Sequence, residues 1–141
     1  MTLSWHQQYR RANRLKRTDV DGTVFDSVSE LRRWKTLQQW QLAGDIKNLR
    51  RQVSYPLIIN DTLLDARPIL TPTGKTACYK ADFVYERRQG IDMRPGAVNY
   101  EWTEIIEDHK GYHSREAQFR IAVFEAIYGV KVLITKGKGK S

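Results

Sequence analysis

The chain has 141 residues, of which 40% are hydrophobic and 28% charged, so we expect one soluble globular domain with its own core. Its 24 Lys and Arg residues against 16 Asp and Glu residues give a net charge of +8, which favours a polyanionic partner such as nucleic acid. We expect neither a membrane span nor a signal peptide, because no apolar stretch has the required length. The single cysteine, Cys78, excludes an internal disulfide and is typical of a cytoplasmic protein.

The positive charge is concentrated at the two ends of the chain. Residues 1–18 contain five basic residues and no acid, and residues 131–141 contain four basic residues and no acid. The remaining 15 basic residues nearly balance the 16 acidic ones. We therefore expect one domain with a basic N-terminal arm at 1–18 and a flexible basic tail at 136–141. Trp5 and Tyr9 are candidates for base stacking. The phosphate-binding candidates of the arm are Arg10, Arg11, Arg14, Lys16 and Arg17.

Two helices are predicted from caps and apolar periodicity. The first covers residues 27–43, where a capping-box pattern precedes an apolar stripe and Gly44 follows. Residues 45–49 are expected to add a short turn. The second covers residues 114–128, which are rich in apolar side chains and are followed by Gly129.

Strands are predicted where β-branched, aromatic or alternating residues occur between turn signals. They cover residues 52–59, 63–70, 77–86, 98–110 and 130–135, with loops at 71–74 and 87–97. Alternation assigns one face of the third strand to Tyr79, Ala81, Phe83 and Tyr85. A meander followed by a helical crossover gives an α/β fold with a mixed sheet flanked by helices, in the order α-β-β-β-α-β.

Three acids and one lysine form the group best suited to chemistry. Asp108 and Lys110 are two residues apart on one predicted strand and therefore share a face. Asp82 reaches the same place if the two strands are neighbours, and Glu30, near the start of the first helix, closes the site from above. Carboxylate oxygens are ligands that Mg²⁺ prefers, and a lysine beside them orients water or neutralises phosphate charge. The group therefore predicts metal-dependent phosphodiester chemistry.

The sequence leaves a structural interpretation of these residues open. Cross-strand ion pairs on a solvated face explain most Asp-X-Lys patterns, and Glu30 stands where a capping box places its glutamate. Alternation directs Glu107 and His109 away from Asp108, so Glu107 ranks below Asp108 as a ligand and His109 is interpreted as a packed or surface residue. A bulge would exchange the roles of Glu107 and Asp108.

Three segments resemble motifs of the PD-(D/E)XK nuclease superfamily, which has the restriction-endonuclease-like fold. Residues 25–30 (FDSVSE) resemble its helix start, residues 79–85 (YKADFVY) its first acidic strand and residues 105–111 (IIEDHKG) its second. More specifically, they look like small phage and prophage nucleases akin to archaeal Holliday-junction resolvases and to the nuclease subunit of heteromeric transposases. Ala81 stands where the superfamily has proline, and His109 where a small apolar residue is usual.

The resemblance implies an endonuclease that depends on Mg²⁺ or Mn²⁺ and leaves a 5′-phosphate and a 3′-hydroxyl. It implies that Asp82 and Asp108 are metal ligands and that Glu30 is a helix-borne ligand of the metal or of water. Lys110 would be the catalytic lysine, and Gln52 would lie near the site.

The predicted substrate is branched DNA, such as a Holliday junction formed in phage recombination or replication. Because resolution needs two symmetric cuts, we expect a homodimer with twofold symmetry. Gln52, His113, Arg115 and Arg120 are further candidates for DNA contacts. Two alternatives stay open: a restriction-type or transposon-end nuclease on the same fold, and a non-catalytic basic module that binds nucleic acid.

Overall fold

Helices and strands are interspersed along the chain in the computed structural model, which describes residues 2–60, 66–90 and 100–137. The helices of these ranges are α1 (Trp5–Lys16), α2 (Val28–Leu42) and α3 (Arg115–Tyr128). The strands are β1 (Ile46–Pro56), β2 (Ile58–Asn60), β3 (Ala66–Pro68), β4 (Cys78–Gly90), β5 (Tyr100–His109) and β6 (Val132–Thr135). None of the described helices is long and apolar enough to cross a membrane.

Four strands form the main sheet in the order β1-β4-β5-β6. Strand β4 pairs antiparallel with both β1 and β5, whereas β6 pairs parallel with β5 and follows α3 in the chain. Strands β2 and β3 form a separate antiparallel pair. The mixed sheet with flanking helices confirms the predicted α/β class.

Both predicted helices are present, and their ends follow from capping. Ser27 precedes α2 and Ser114 precedes α3, and each side chain accepts a hydrogen bond from a backbone N–H of the first turn. Gly44 and Gly129 follow the two helices with φ of 84° and 66°, a left-handed conformation that glycine adopts without steric cost.

The basic arm contains a helix, α1, that the apolar pattern does not predict. Ser4 and Gln7 form a complete capping box, with hydrogen bonds of 2.8 and 3.2 Å. No glycine, proline or β-branched residue interrupts Trp5–Lys16. No residue of α1 is buried, so its formation rests on local capping and propensity rather than on a core contact.

Two predicted boundaries are wrong because strand pairing overrides the local signals. Strand β1 already starts at Ile46, within the predicted turn at 45–49. Strand β4 continues to Gly90, into the predicted loop at 87–97. The pairing of Ile46 with Arg87 joins these two extensions.

Some predictions fall wholly or partly on residues that are not described. Of the predicted strand at 63–70, the structure describes residues 66–70, and of these only Ala66–Pro68 form a strand, β3. Residues 61–65 lie outside the described residues. The same holds for residues 91–99, which include most of the predicted loop, and for residues 138–141 of the predicted tail.

Two apolar clusters pack against the sheet, one with α3 and one with α2. The first includes Tyr79, Ala81, Val84, Ile106, Ile121 and Phe124. The second includes Phe25, Leu31, Leu37, Phe83 and Tyr85. The prediction that Tyr79, Ala81, Phe83 and Tyr85 share one face is therefore wrong: the first two pack with α3 and the last two with α2. The side-chain alternation of β4 is interrupted between Ala81 and Phe83, at Asp82.

Strand β1 has an unusual backbone at the same level of the sheet. Gln52 lies between two residues of β1 that pair with Phe83 and Ala81, and its φ is 56°. The β1–β4 register runs past Gln52 without a shift, so this left-handed residue lies level with Asp82, where strict alternation of β4 fails.

Candidate catalytic site

Asp82 and Asp108 form the centre of the site. The register of β4 and β5 ends at the pair Phe83–Glu107, and Asp82 and Asp108 are the next residues beyond it. Their side chains are within hydrogen-bonding contact of each other. Both carboxyl groups are buried, at 5% and 2% exposure. Burial, with the hydrogen-bonding contact and charge of Asp108, raises the pKa of Asp82, and only the backbone N–H of His109, 2.8 Å from Asp82 Oδ2, acts strongly against this.

Asp108 faces two cationic or potentially cationic side chains. Lys110 Nζ lies 3.9 Å from Asp108 Oδ1, and His113 Nε2 lies 3.4 Å from Asp108 Oδ2. Asp108 and Lys110 thus meet, as their spacing predicts. The His113 ring, a candidate for a DNA contact, instead faces the carboxylate.

Unsatisfied polar atoms collect around this carboxylate. Within the described ranges, four buried side-chain polar atoms lack a hydrogen-bond partner, and three of them are Asp108 Oδ1, His113 Nε2 and the Tyr79 hydroxyl. Burial and the charges of Asp108 and Asp82 raise the pKa of Tyr79, so its hydroxyl keeps its proton. Buried polar atoms normally have partners, so this concentration of unsatisfied atoms requires a physical explanation.

Glu30 lies near the cleft without lining it, close enough to interact electrostatically with Asp82, Asp108 and Lys110. It is 3% exposed, and Gln52 Nε2 donates a hydrogen bond to its carboxylate at 3.3 Å. The Ser27 hydroxyl accepts from the Glu30 backbone, but the Glu30 side chain does not complete a capping box. Burial and the charge of Asp26 raise the pKa of Glu30, against the charges of Arg51 and Lys110.

Glu107 belongs to a different network. Arg33 donates to both of its carboxylate oxygens, at 2.8 and 2.9 Å. The hydroxyls of Tyr85 and Thr135 donate to them at 2.8 and 3.1 Å. With 0% exposure and every oxygen bonded, Glu107 holds α2 to the sheet and leaves Asp108 as the acid that faces Asp82.

His109 lies on the Glu107 side of β5, as alternation predicts. Its ring nitrogens lie 2.7 Å from the hydroxyls of Ser29 and of Thr135. Burial lowers the pKa of His109, which favours the neutral ring. It is therefore a packed residue that joins α2 to β6.

The cleft above the two aspartates has a volume of about 160 Å³. Its lining residues are Asp26, Gln52, Tyr79, Lys80, Asp82, Asp108, Lys110, Ala117 and Arg120. Lys80 and Arg120 bring positive charge to the opening, whereas Arg115 is exposed and does not line the cleft. Sequence reasoning missed Tyr79 as a site residue, because strict alternation assigns it to the face opposite Asp82.

The candidate phosphate-binding residues of the arm lie on α1 or just after it. Arg10, Arg11, Arg14 and Lys16 are exposed. Arg17 instead donates to the backbone carbonyls of Phe25 and Asp26, at 3.2 and 3.3 Å, and ties the arm to the start of α2.

Trp5 and Tyr9, the base-stacking candidates, stack on each other. Their ring centroids lie 5.8 Å apart at an interplanar angle of 13°. The two residues are 70% and 58% exposed, so both rings remain accessible to a partner.

The described residues contain no group of three His, Cys, Asp or Glu side chains that could by itself hold a metal ion. The comparisons with protein-family models, with curated proteins and with solved structures find no match for this chain.

Proposed function

We propose that this protein is a metal-dependent DNA endonuclease of the restriction-endonuclease-like kind, which cuts phosphodiester bonds in branched DNA. One observation carries the proposal: Asp82 and Asp108 face each other in a buried cleft, and Asp108 Oδ1 has no hydrogen-bond partner although Lys110 lies 3.9 Å away. Two buried carboxylates side by side are costly without a counter-ion. A divalent cation supplies the missing charge.

The donor set fits Mg²⁺ or Mn²⁺. Hard cations take carboxylate oxygens, and Mg²⁺ keeps several waters, so a pair of carboxylates with one unpaired oxygen is a sufficient protein contribution. Asp82 and Asp108 would hold the ion, and Glu30, buried beside them, would bind it or a water of its shell. When bound, the ion supplies positive charge that stabilises the transition state of phosphodiester hydrolysis.

Lys110 acts on the water and on the phosphate. Its side chain lines the cleft and is 45% exposed, so the ammonium group beside Asp108 is accessible to substrate. There it orients the attacking water and neutralises charge that develops on the phosphate. The water oxygen forms a bond to phosphorus as its proton is released to solvent, and the bond to the 3′ oxygen breaks as that oxygen takes up a proton, which leaves the 5′-phosphate and 3′-hydroxyl that the family resemblance implies.

The order of the elements supports the same proposal. The sequence α2, then the antiparallel strands β1, β4 and β5, then α3 and the parallel strand β6 agrees with the α-β-β-β-α-β core that the resemblance implies. The acids stand at adjacent positions of the two central strands, β4 and β5.

DNA as the substrate is supported by the positive charge around the cleft. Lys80 and Arg120 line its opening, and the exposed arginines of α1 form a basic surface without a single acid in the helix. A homodimer would place two such clefts for symmetric cuts.

The test is cleavage of a synthetic four-way junction beside a linear duplex, with Mg²⁺, with Mn²⁺ and with EDTA. The proposal expects cutting of the junction with either ion and none with EDTA, and loss of cutting in Asp82→Ala, Asp108→Ala and Lys110→Ala. No cleavage of any DNA would overturn the enzymatic proposal. Equal cutting of the linear duplex would overturn branched-DNA selectivity and favour a restriction-type or transposon-end nuclease.

A non-catalytic nucleic-acid-binding module is the second candidate. It is supported by the exposed arginines of α1, a helix that contains no acidic residue. It expects DNA binding with a steep salt dependence and no turnover with any divalent ion.

A further inference from the structure

The Tyr79 hydroxyl is a buried donor without an acceptor. Tyr79 is 3% exposed and packs in the apolar cluster with Ala81 and Phe124, yet it also lines the cleft of Asp82 and Asp108. The Asp108 carboxylate is close enough to raise the pKa of the hydroxyl through its charge and a hydrogen-bonding contact, but the hydroxyl has no partner that meets full hydrogen-bond geometry.

Such a hydroxyl costs stability. A buried hydroxyl that has left water without gaining a partner destabilises the fold, whereas phenylalanine would fill the same space without that penalty. The Tyr79 ring packs against Phe124 with 4.6 Å between the ring centroids, which is typical of an aromatic pair in a core. This packing does not require the hydroxyl oxygen. The Tyr79 hydroxyl is therefore best explained by a role that it takes when a ligand is bound in the cleft.

Asp108 has the capacity that the hydroxyl needs. An ionised carboxylate offers about four lone-pair positions. Lys110 and His113 approach its two oxygens only at 3.9 and 3.4 Å, and Oδ1 accepts no hydrogen bond. A cation that binds one lone pair of the Asp108 carboxylate still leaves another lone pair to accept a hydrogen bond from the Tyr79 hydroxyl.

We propose that Tyr79 is a positioning residue for Asp108: when a divalent cation enters the cleft, the hydroxyl donates a hydrogen bond to the Asp108 carboxylate and fixes its orientation toward the ion. Donors that orient ligand carboxylates typically change metal affinity by about 10- to 100-fold. This inference rests on the proposed metal-dependent function, of which it names a further part.

Tyr85 provides the matched control on the same strand. It is equally buried, but its hydroxyl donates to Glu107 at 2.8 Å, in the network on the other side of the sheet. Tyr85→Phe therefore breaks a formed hydrogen bond away from the cleft, whereas Tyr79→Phe removes an unpaired hydroxyl within it.

The experiment measures the Mn²⁺ affinity of the full chain by calorimetry and its melting temperature in EDTA, for the wild type and both variants. We expect Tyr79→Phe to bind Mn²⁺ about 10- to 100-fold more weakly and to melt at or above the wild-type temperature. We expect Tyr85→Phe to melt lower and to bind Mn²⁺ as the wild type does. Junction cleavage by Tyr79→Phe should recover at saturating Mn²⁺.

Two results would overturn the inference alone: Mn²⁺ affinity of Tyr79→Phe equal to that of the wild type, or a loss of melting temperature in Tyr79→Phe as large as that in Tyr85→Phe. The proposed function fails in a different way. A wild-type chain that binds no Mn²⁺ would overturn the metal-dependent function together with this inference.

Discussion

The side-chain amide of Gln52 donates a hydrogen bond to the Glu30 carboxylate while the Gln52 backbone lies in the left-handed region, at φ 56°. For a residue other than glycine this conformation costs about 1–2 kcal/mol. Both features lie at the same level of the sheet: the left-handed residue is level with Asp82, and its side chain holds the Glu30 carboxylate. Strain of this kind persists where the surrounding structure fixes it, and it is common at functional sites.

Gln52→Gly is expected to separate activity from stability. Glycine relieves the backbone strain but loses the hydrogen bond to Glu30, so the unfolding free energy should stay within about 1 kcal/mol of the wild type. Cleavage should fall about tenfold, which corresponds to the loss of one hydrogen bond of about 1.4 kcal/mol in the transition state. Urea denaturation and single-turnover cleavage measure the two effects. Asn48→Gly, at the other left-handed position of β1, is the control and should cleave at the wild-type rate.

Neighbouring acids of β5 are expected to behave in opposite ways. Glu107→Gln leaves the Arg33 guanidinium without its ionic partner and should destabilise the fold by about 3 kcal/mol. Asp108→Asn removes a carboxylate that faces Asp82 and has an unpaired oxygen, so stability should not fall. Urea denaturation in EDTA compares the two variants. A larger loss in Asp108→Asn than in Glu107→Gln would contradict the assigned roles.

The stability of the metal-free protein is expected to fall as pH rises. Burial and Asp108 raise the folded-state pKa of Asp82 to about 8, above its ordinary value of 3.8, so the folded chain keeps a proton that the unfolded chain releases. This contribution to stability is complete below about pH 4 and is lost as pH rises through about 8. Melting temperatures in EDTA between pH 5 and 9 measure it.

Asp82→Asn is the control for this pH dependence, because it removes the titrating group. Its melting temperature should change less over the same range, and added Mn²⁺ should stabilise the wild type more at pH 8 than at pH 5. A wild-type melting temperature that rises steadily from pH 5 to 9 in EDTA would contradict the shared burial of the two carboxylates.

The arginines of α1 are expected to bind DNA through phosphate charge. Replacement of Arg10, Arg11 and Arg14 by Gln should reduce the slope of log K against log salt by up to about 2.7, since each phosphate contact contributes about 0.9. Replacement of the same three by Lys keeps the charge and should keep the slope. Fluorescence anisotropy with a labelled junction in EDTA measures binding without cleavage. An unchanged slope in the Gln variant would show that α1 does not contact the phosphates.

The parts of the fold that were predictable depend on local chemistry. Ser27 and Ser114 cap their helices through their own hydroxyls, and Gly44 and Gly129 end them through their backbone freedom, so a few adjacent residues are enough. The approach of Lys110 to Asp108 likewise follows from their spacing along β5.

The features that could not be predicted from the sequence depend on pairing between distant segments. Ile46 is strand because it pairs with Arg87, 41 residues away, and not because of its neighbours. The left-handed conformation of Gln52 has no signature in the residues around it, and neither has the loss of alternation at Asp82 that places Tyr79 and Phe83 in different clusters. Alternation alone therefore could not predict that Tyr79 lies at the site.

The measurement that tests the account most directly is Mg²⁺-dependent cleavage of a four-way junction by the wild type, Asp108→Asn and Glu107→Asp at one temperature where all three are folded. These acids are adjacent on β5, and only Asp108 faces Asp82. The account predicts that Asp108→Asn loses cleavage entirely while Glu107→Asp retains it. Cleavage that survives in Asp108→Asn, or that is absent from the wild type, would contradict it.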